Sequence, residues 1–339
     1  MEDVGAGEMK GVTDSHQQDR HDGVTESVGS VVTVTGPVLP EDLGLTHSHE
    51  HVLWDYWDLF QSYDVVFTEE AVATAEVREF AEVGGGCLVD CTCTGVGPQP
   101  ESLQRISLAT GVKIVLGCGW YRERVYPPEV FELSSSKLAE VLVERLTKGY
   151  EGTSVRAGFI GEIGTERHRI TPAEERVFRA AAIAQRRTGV AIWTHTTRFG
   201  ELALEQIALL RDCGVSPDRI VISHLGDRED PSLVLEIAKS GVYLSIDNVG
   251  YQGAGYPGDE VRANSIMELI RAGHLNQIVM GTDIGQKSAL ASYGGRGYGW
   301  LVRSFIPRLK ALGVDGPSLH ALTTGNVARA LTVARSQVS

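Results

Sequence analysis

Eight short apolar runs, each followed by a polar or glycine-rich loop and an amphipathic stretch of helical period, constrain this chain more than any other feature. One run carries Thr46-His47-Ser48-His49-Glu50-His51; the others are Gly86–Cys91, Lys113–Gly117, Ala157–Ile160, Val190–Thr194, Arg219–Ser223, Val242–Ile246 and Gln277–Met280. Runs that are apolar almost without interruption are buried on both faces, as in a parallel sheet covered by helices. The stretches between them carry helix punctuation. Thr171-Pro172 starts one, with Glu174 and Glu175 in its first turn, and Gly189 stops it. Eight such units predict an α/β fold of the (β/α)8 TIM-barrel type, not a six-stranded doubly wound sheet. A length of 339 residues accommodates one such barrel.

The first 29 residues are polar and acidic and lack a periodic apolar face, which predicts a disordered tail preceding a single domain over 30–339. His16 and His21 lie in that tail without neighbours of ligand type. From Val31 an alternating run, then Gly36-Pro37 and Val38-Leu39-Pro40, predicts a short hairpin leading into the first strand. No apolar run approaches the roughly 20 residues of a membrane span, and the N-terminus has no apolar signal region. The five cysteines, Cys87, Cys91, Cys93, Cys118 and Cys213, are odd in number and mostly embedded in apolar runs. They read as reduced, buried thiols of a cytoplasmic protein, and Cys91-x-Cys93 is too close for a zinc-ribbon pair. A formal charge of −13 and a pI near 5.3 make nucleic acid and anionic membranes poor partners, leaving a small-molecule substrate.

A barrel presents its chemistry at the C-terminal ends of its strands. His49 and His51 end the first run, and Glu162 follows the fourth. His195 ends the fifth, His224 the sixth and Asp283 the eighth. Side chains two apart on a strand share a face, so His47, His49 and His51 are expected on one side, with His47 deeper in the barrel mouth. Four imidazoles and two carboxylates at one rim match the donor set of a site for two divalent metals, and zinc suits such donors. Glu162 is read either as a bridge between the metals or as an acid behind them. His168, His274 and His320 have no motif around them and read as structural.

These same segments, His49-Glu50-His51, Gly158 to Thr165, Thr194-His195-Thr196, Val221 to His224 and Gly281-Thr282-Asp283, resemble the phosphotriesterase family of the amidohydrolase superfamily, from about residue 31 onward. The resemblance implies a binuclear centre, with His49, His51 and Asp283 on the more buried metal, His195 and His224 on the more exposed one, and a bridge from strand four. Well-known members carry a carboxylated lysine there. This chain has Glu162, like the phosphotriesterase homology protein branch. Asp227 resembles the family's proton-accepting acid, but the histidine that partners it elsewhere is replaced by Asn248, which cannot relay protons at neutral pH. Tyr121 stands where relatives have a pocket aromatic, or is a plain core aromatic. Arg228 and Lys287 lie in loops at the same rim, where either could hold a substrate carboxylate or phosphate. A homodimer is common among such relatives.

Two divalent ions sharing one water bring its pKa from about 16 towards neutrality, and Asp283 is placed to take its proton as general base. No Gly-x-Ser-x-Gly elbow is present, and Cys91 has no partnered histidine in its sequence context, so a covalent nucleophile is not indicated. Gly294-Gly295-Arg296-Gly297-Tyr298-Gly299 reads as a flexible loop capping the pocket, not a phosphate loop. The expected activity is hydrolysis of a small carbonyl substrate: a lactone, a carboxylic ester or an amide. The competing expectations are organophosphate triester hydrolysis and a non-catalytic ligand-binding barrel.

Overall fold

The eight apolar runs become eight parallel strands in a computed structural model that describes residues 29–197, 199–253 and 255–333. They are β1 (Leu45–Glu50), β2 (Gly85–Asp90), β3 (Lys113–Cys118), β4 (Phe159–Thr165), β5 (Ile192–Thr196), β6 (Ile220–Ile222), β7 (Tyr243–Ile246) and β8 (Ile278–Met280). Each strand pairs with its sequence neighbours, and every pair is parallel. At the rim the ring closes, where the Asp283 N–H beyond β8 donates to the His49 carbonyl on β1 at 3.2 Å. Contact there is close enough that a Cβ on Gly281 would sit 2.5 Å from the His49 oxygen. The molecule is a (β/α)8 TIM barrel.

Strand alternation sorts side chains into two layers. Cys87, Val89, Val115, Phe159, Trp193, Val221, Tyr243 and Val279 fill the interior. Leu88, Ile114, Leu116, Ile160, Ile192, Ile222, Leu244 and Ile278 join the outer core beneath the helices. Those helices are α1 (Glu70–Glu82), α2 (Pro100–Thr110), α3 (Ser135–Thr147), α4 (Pro172–Thr188), α5 (Ala203–Asp212), α6 (Ser232–Ala238), α7 (Asp259–Arg271) and α8 (Ile306–Ala311). The expected limits of α4 hold. Thr171 and Glu174 form a reciprocal capping box, and Gly189 ends the helix at φ 73°.

Below, the expected hairpin is present as an antiparallel pair, Val31–Thr33 with Gly36–Val38. Val31 packs with Val327 and Leu331 of the C-terminal helix Asn326–Leu331 under the barrel interior. Ser30 and Val333 exchange both backbone hydrogen bonds at 3.0 Å. Val333 lines a small cleft with Ala157 and Val190, which precede β4 and β5, so this contact lies at the floor of the barrel. The tail over residues 1–29, with His16 and His21, falls outside the described residues except for Gly29. Among the described residues, no helix is long and apolar enough to cross a membrane.

Candidate metal centre

Two local departures from regular strand geometry aim the donors. In β1 the pairing with β2 slips between His47 and Glu50, a bulge-like irregularity that reverses the alternation. His49 and His51 therefore reach the centre, whereas His47 turns outward. His47 lies against Phe80 of α1, with ring centroids 4.6 Å apart, and its Nδ1 is 2.6 Å from Glu50 Oε1. The expectation that His47 lies in the barrel mouth is thus corrected: the slip places it under a helix.

In β4 the register shifts between Ile160 and Ile163, and Glu162 lies inside the strand instead of following it. Gly161 makes this possible. Its φ is 143°, and a Cβ there would sit 2.4 Å from the Trp193 carbonyl oxygen. His224 and Asp283, beyond β6 and β8, adopt φ of 65° and 46°, in the left-handed region that non-glycine residues seldom occupy. Such conformations persist only where the surroundings hold them, and they cluster at functional sites.

The structure brings together all six residues expected to bind metal. Glu162 is at the middle, fully buried, with its two oxygens facing different groups. Oε1 lies 3.4 Å from His49 Nε2 and 3.6 Å from His51 Nε2. Those same nitrogens are 3.5 Å and 3.2 Å from Asp283 Oδ1. Oε2 lies 3.0 Å from His195 Nδ1 and 3.6 Å from His224 Nε2.

Partners behind the imidazoles fix their orientation. Asp247, after β7, is fully buried; it accepts from the backbone N–H of His224 and lies 3.0 Å from His224 Nδ1 and 3.1 Å from His49 Nδ1. Thr92 Oγ1 is 3.0 Å from His51 Nδ1. In this arrangement Nε2 of all three rings is left for the centre, the second layer of contacts that metal-ligating histidines use. The sequence reading passed over Asp247 in favour of its neighbour Asn248. Its signal was available, because Asp247 directly follows the apolar run Val242–Ile246, as His195 and His224 directly follow theirs.

Charge in the cluster is unbalanced by side chains alone. Burial pushes the Glu162 carboxyl up, but the His49 and His195 imidazoles win and hold it well below the usual range. Burial and the His224 and His49 rings act on Asp247 with the same outcome, a lowered carboxyl. Burial depresses His224, yet Asp247 and its neighbours push it up to about 10. For His195 burial prevails and takes the ring down to about 4. Burial depresses His49 too, yet Cys91, Glu162, Asp283 and Asp247 hold it well above the ordinary imidazole range, so two rings are pushed towards the charged form beside three carboxylates that pair with no Lys or Arg among the described residues. His49 Nε2 is buried without a hydrogen-bond partner and points at Glu162 and Asp283. A buried imidazole nitrogen with no hydrogen-bond partner, set among carboxylates that no Lys or Arg neutralises, is a donor set that a divalent cation satisfies. Three overlapping triads, His49-His51-Glu162, His49-His224-Asp283 and Glu162-His195-His224, have donor atoms close enough to share an ion.

The remaining expected site residues divide. Tyr121 reaches the cluster, its hydroxyl 3.2 Å from both ring nitrogens of His195. With Trp54, whose ring is 3.9 Å from that of His51, it forms part of an aromatic wall. Asp227 does not stand free as a proton acceptor. Its Oδ1 accepts from Arg262 Nε and Nη2 at 2.9 and 2.6 Å, and its Oδ2 from Asn248 Nδ2 at 2.5 Å. Arg262 is fully buried, so this ion pair serves to pin α7 against the β6 loop. Lys287 pairs with Glu69 at 3.2 Å, and Arg228 donates to the Phe199 carbonyl at 3.1 Å, so neither is held against the six donors. The glycine-rich segment after β8 is not a loose cap: Gly295 and Gly297 donate to Leu290 and Ala289 carbonyls, and the buried Tyr298 hydroxyl donates to the His51 carbonyl at 2.7 Å. All five cysteines are unpaired, and all but Cys213 are buried.

Comparison with known proteins agrees with this geometry. Residues 29–331 match the phosphotriesterase family. The chain is 33% identical over 283 residues to the phosphotriesterase homology protein of Escherichia coli strain K12, covering 84% of this chain and 96% of that one. It is 28% identical over 370 residues to an N-acetyltaurine hydrolase of Dictyostelium discoideum, covering 91% and 100%. A solved lactonase from Listeria monocytogenes superposes with a TM-score of 0.84 at 29% identity, over 89% of this chain and 99% of that one. The chain belongs to the phosphotriesterase family and is a metal-dependent hydrolase.

Proposed function

We propose that the protein is a two-zinc hydrolase that cleaves a small carbonyl substrate, either an amide such as an N-acyl amino acid or aminosulfonate, or a lactone or carboxylic ester. The observation that carries this reading is the division of labour in Glu162, whose oxygens face separate sets of imidazoles. In this reading His49, His51 and Asp283 would hold one ion, His195 and His224 the other, and Glu162 would serve both. Imidazole and carboxylate donors suit zinc. When bound, such a pair acidifies water and polarises a carbonyl oxygen.

The side chains supply the rest. Asp283 is the least enclosed of the site's carboxylates, with 18% of its side chain exposed, so its Oδ2 can accept a proton from the attacking water and return it to the leaving group. Asp247 holds two rings in one tautomer through their Nδ1 atoms. The Tyr121 hydroxyl beside His195 is a donor for the oxygen on which charge grows. Trp54 over His51 shields that side of the centre from water. Relatives across nearly the whole chain bear the names N-acetyltaurine hydrolase and lactonase, and others of like coverage organophosphorus hydrolase, so the names admit a carbonyl substrate without deciding it. A carbonyl substrate is favoured over a phosphotriester because the Asp227–Arg262 pair leaves no free acid where the family's proton relay stands. Five free thiols fit a reducing, cytoplasmic setting.

Two measurements test this. Elemental analysis of protein purified without chelator should find about two zinc ions per chain, falling to one or fewer in Glu162→Ala. One ion or none in the wild type overturns the binuclear centre. A panel of N-acyl amino acids, N-acyl aminosulfonates, lactones, aryl esters and paraoxon-like triesters should give the highest kcat/KM on a carbonyl compound. A preference for triesters would make the protein a phosphotriesterase, and binding of panel members without turnover would make it a binding barrel.

A further inference from the structure

Glu50 has no place in the donor set, yet it is the carboxylate at the rim with the fullest complement of hydrogen bonds. It stands between His49 and His51, and the register slip in β1 turns it with His47 to the outer face of the sheet, where it is fully buried. Its Oε1 accepts from the Thr282 N–H at 2.7 Å and from the Thr282 hydroxyl at 2.6 Å, and lies 2.6 Å from His47 Nδ1. Its Oε2 accepts from the Ile284 N–H at 3.2 Å. Among the described residues no Lys or Arg pairs with it.

The residues it grips are the two neighbours of Asp283, which itself has a φ of 46°. The amide of Asp283 is taken by the His49 carbonyl. Three consecutive backbone N–H groups, those of 282, 283 and 284, are therefore held by two consecutive residues of β1. The strand that supplies His49 and His51 thus also sets the segment that supplies Asp283. We propose that Glu50, oriented by His47, is a positioning residue that holds Asp283 in the conformation its role requires. This rests on the part given to Asp283 above. It explains why a carboxylate lies buried, with no Lys or Arg against it among the described residues, on the side of the sheet away from the pocket.

Glu50→Gln and Thr282→Val test the assignment. Glutamine keeps the size but presents an NH2 to one of the surrounding donors. Valine keeps the 282 amide and removes only the hydroxyl bond, so it reports even if Glu50→Gln does not fold. Zinc affinity is measured by competition with a chromophoric chelator, kcat and KM by steady-state assay, and amide exchange over 281–285 on metal-free protein. Glu50→Gln is expected to lose about 10- to 100-fold in zinc affinity or kcat, the range for partners of metal ligands, with KM changed by no more than about threefold. Exchange at 282–284 should accelerate relative to the other strand ends, and Thr282→Val should move every readout the same way by less. Unchanged affinity, kcat and local exchange in the variants overturns the proposal, as does faster exchange spread evenly around the rim. If the wild type itself binds fewer than two zinc ions, the binuclear reading fails, and exchange in the metal-free protein still decides the role of Glu50.

Discussion

Asp247 is one carboxylate serving two imidazoles, 3.0 Å from His224 and 3.1 Å from His49. Asn at this position can accept from one ring while its NH2 faces the other. Asp247→Asn is therefore expected to weaken metal binding or lower kcat by about 10- to 100-fold, read by chelator competition and steady-state kinetics; wild-type values would count against its orienting role. The six donors were legible because each follows an apolar run, which in a barrel fixes both the rim and the face. What escaped the sequence was geometry that breaks alternation or spans distance. The slip that turns His47 outward leaves no mark in residue type. The engagement of Asp227 depends on Arg262, 35 residues away on α7, so nothing local to His224 signals that the acid is already taken.

Elements show the same division. The bounds of α4 could be read from Thr171-Pro172 and Gly189 because capping is local chemistry. The length of β4 could not: Gly161-Glu162-Ile163-Gly164 has the composition of a loop yet continues the strand to Thr165. Gly161 shows why glycine is needed there, since its φ of 143° disfavours any L side chain and a Cβ would press on the backbone of Trp193. Gly161→Ala is expected to destabilise the protein by about 1–3 kcal/mol, measured as a shift in urea midpoint, and to lower metal content by displacing Glu162. An alanine variant as stable and as fully loaded as the wild type would refute this account of β4.

For the whole molecule, the barrel class followed from a count of runs apolar on both faces, and the eight strands appear where those runs lie. The floor was less visible, because the packing of Asn326–Leu331 beneath Val31 joins segments some 300 residues apart. Donors from β1, β4, β5 and the ends of β6 and β8 make metal loading a property of the folded barrel alone. Ions that bind only the native state stabilise it by mass action, by about 2.7 kcal/mol per site at a free concentration 100 times Kd. Exhaustive chelation should thus lower the thermal midpoint by several degrees, with recovery on adding zinc; a midpoint indifferent to chelator would separate the cluster from any metal. The paired backbones of Ser30 and Val333 carry a different consequence. Between Ser30 and Val333 the backbone nearly closes a circle, joined on the underside while the six donors stand on top. Sewn together at that seam and opened in an exposed turn, that stretch would visit the same eight staves in the same cyclic order, so a chain permuted in this way is expected to keep its metal content.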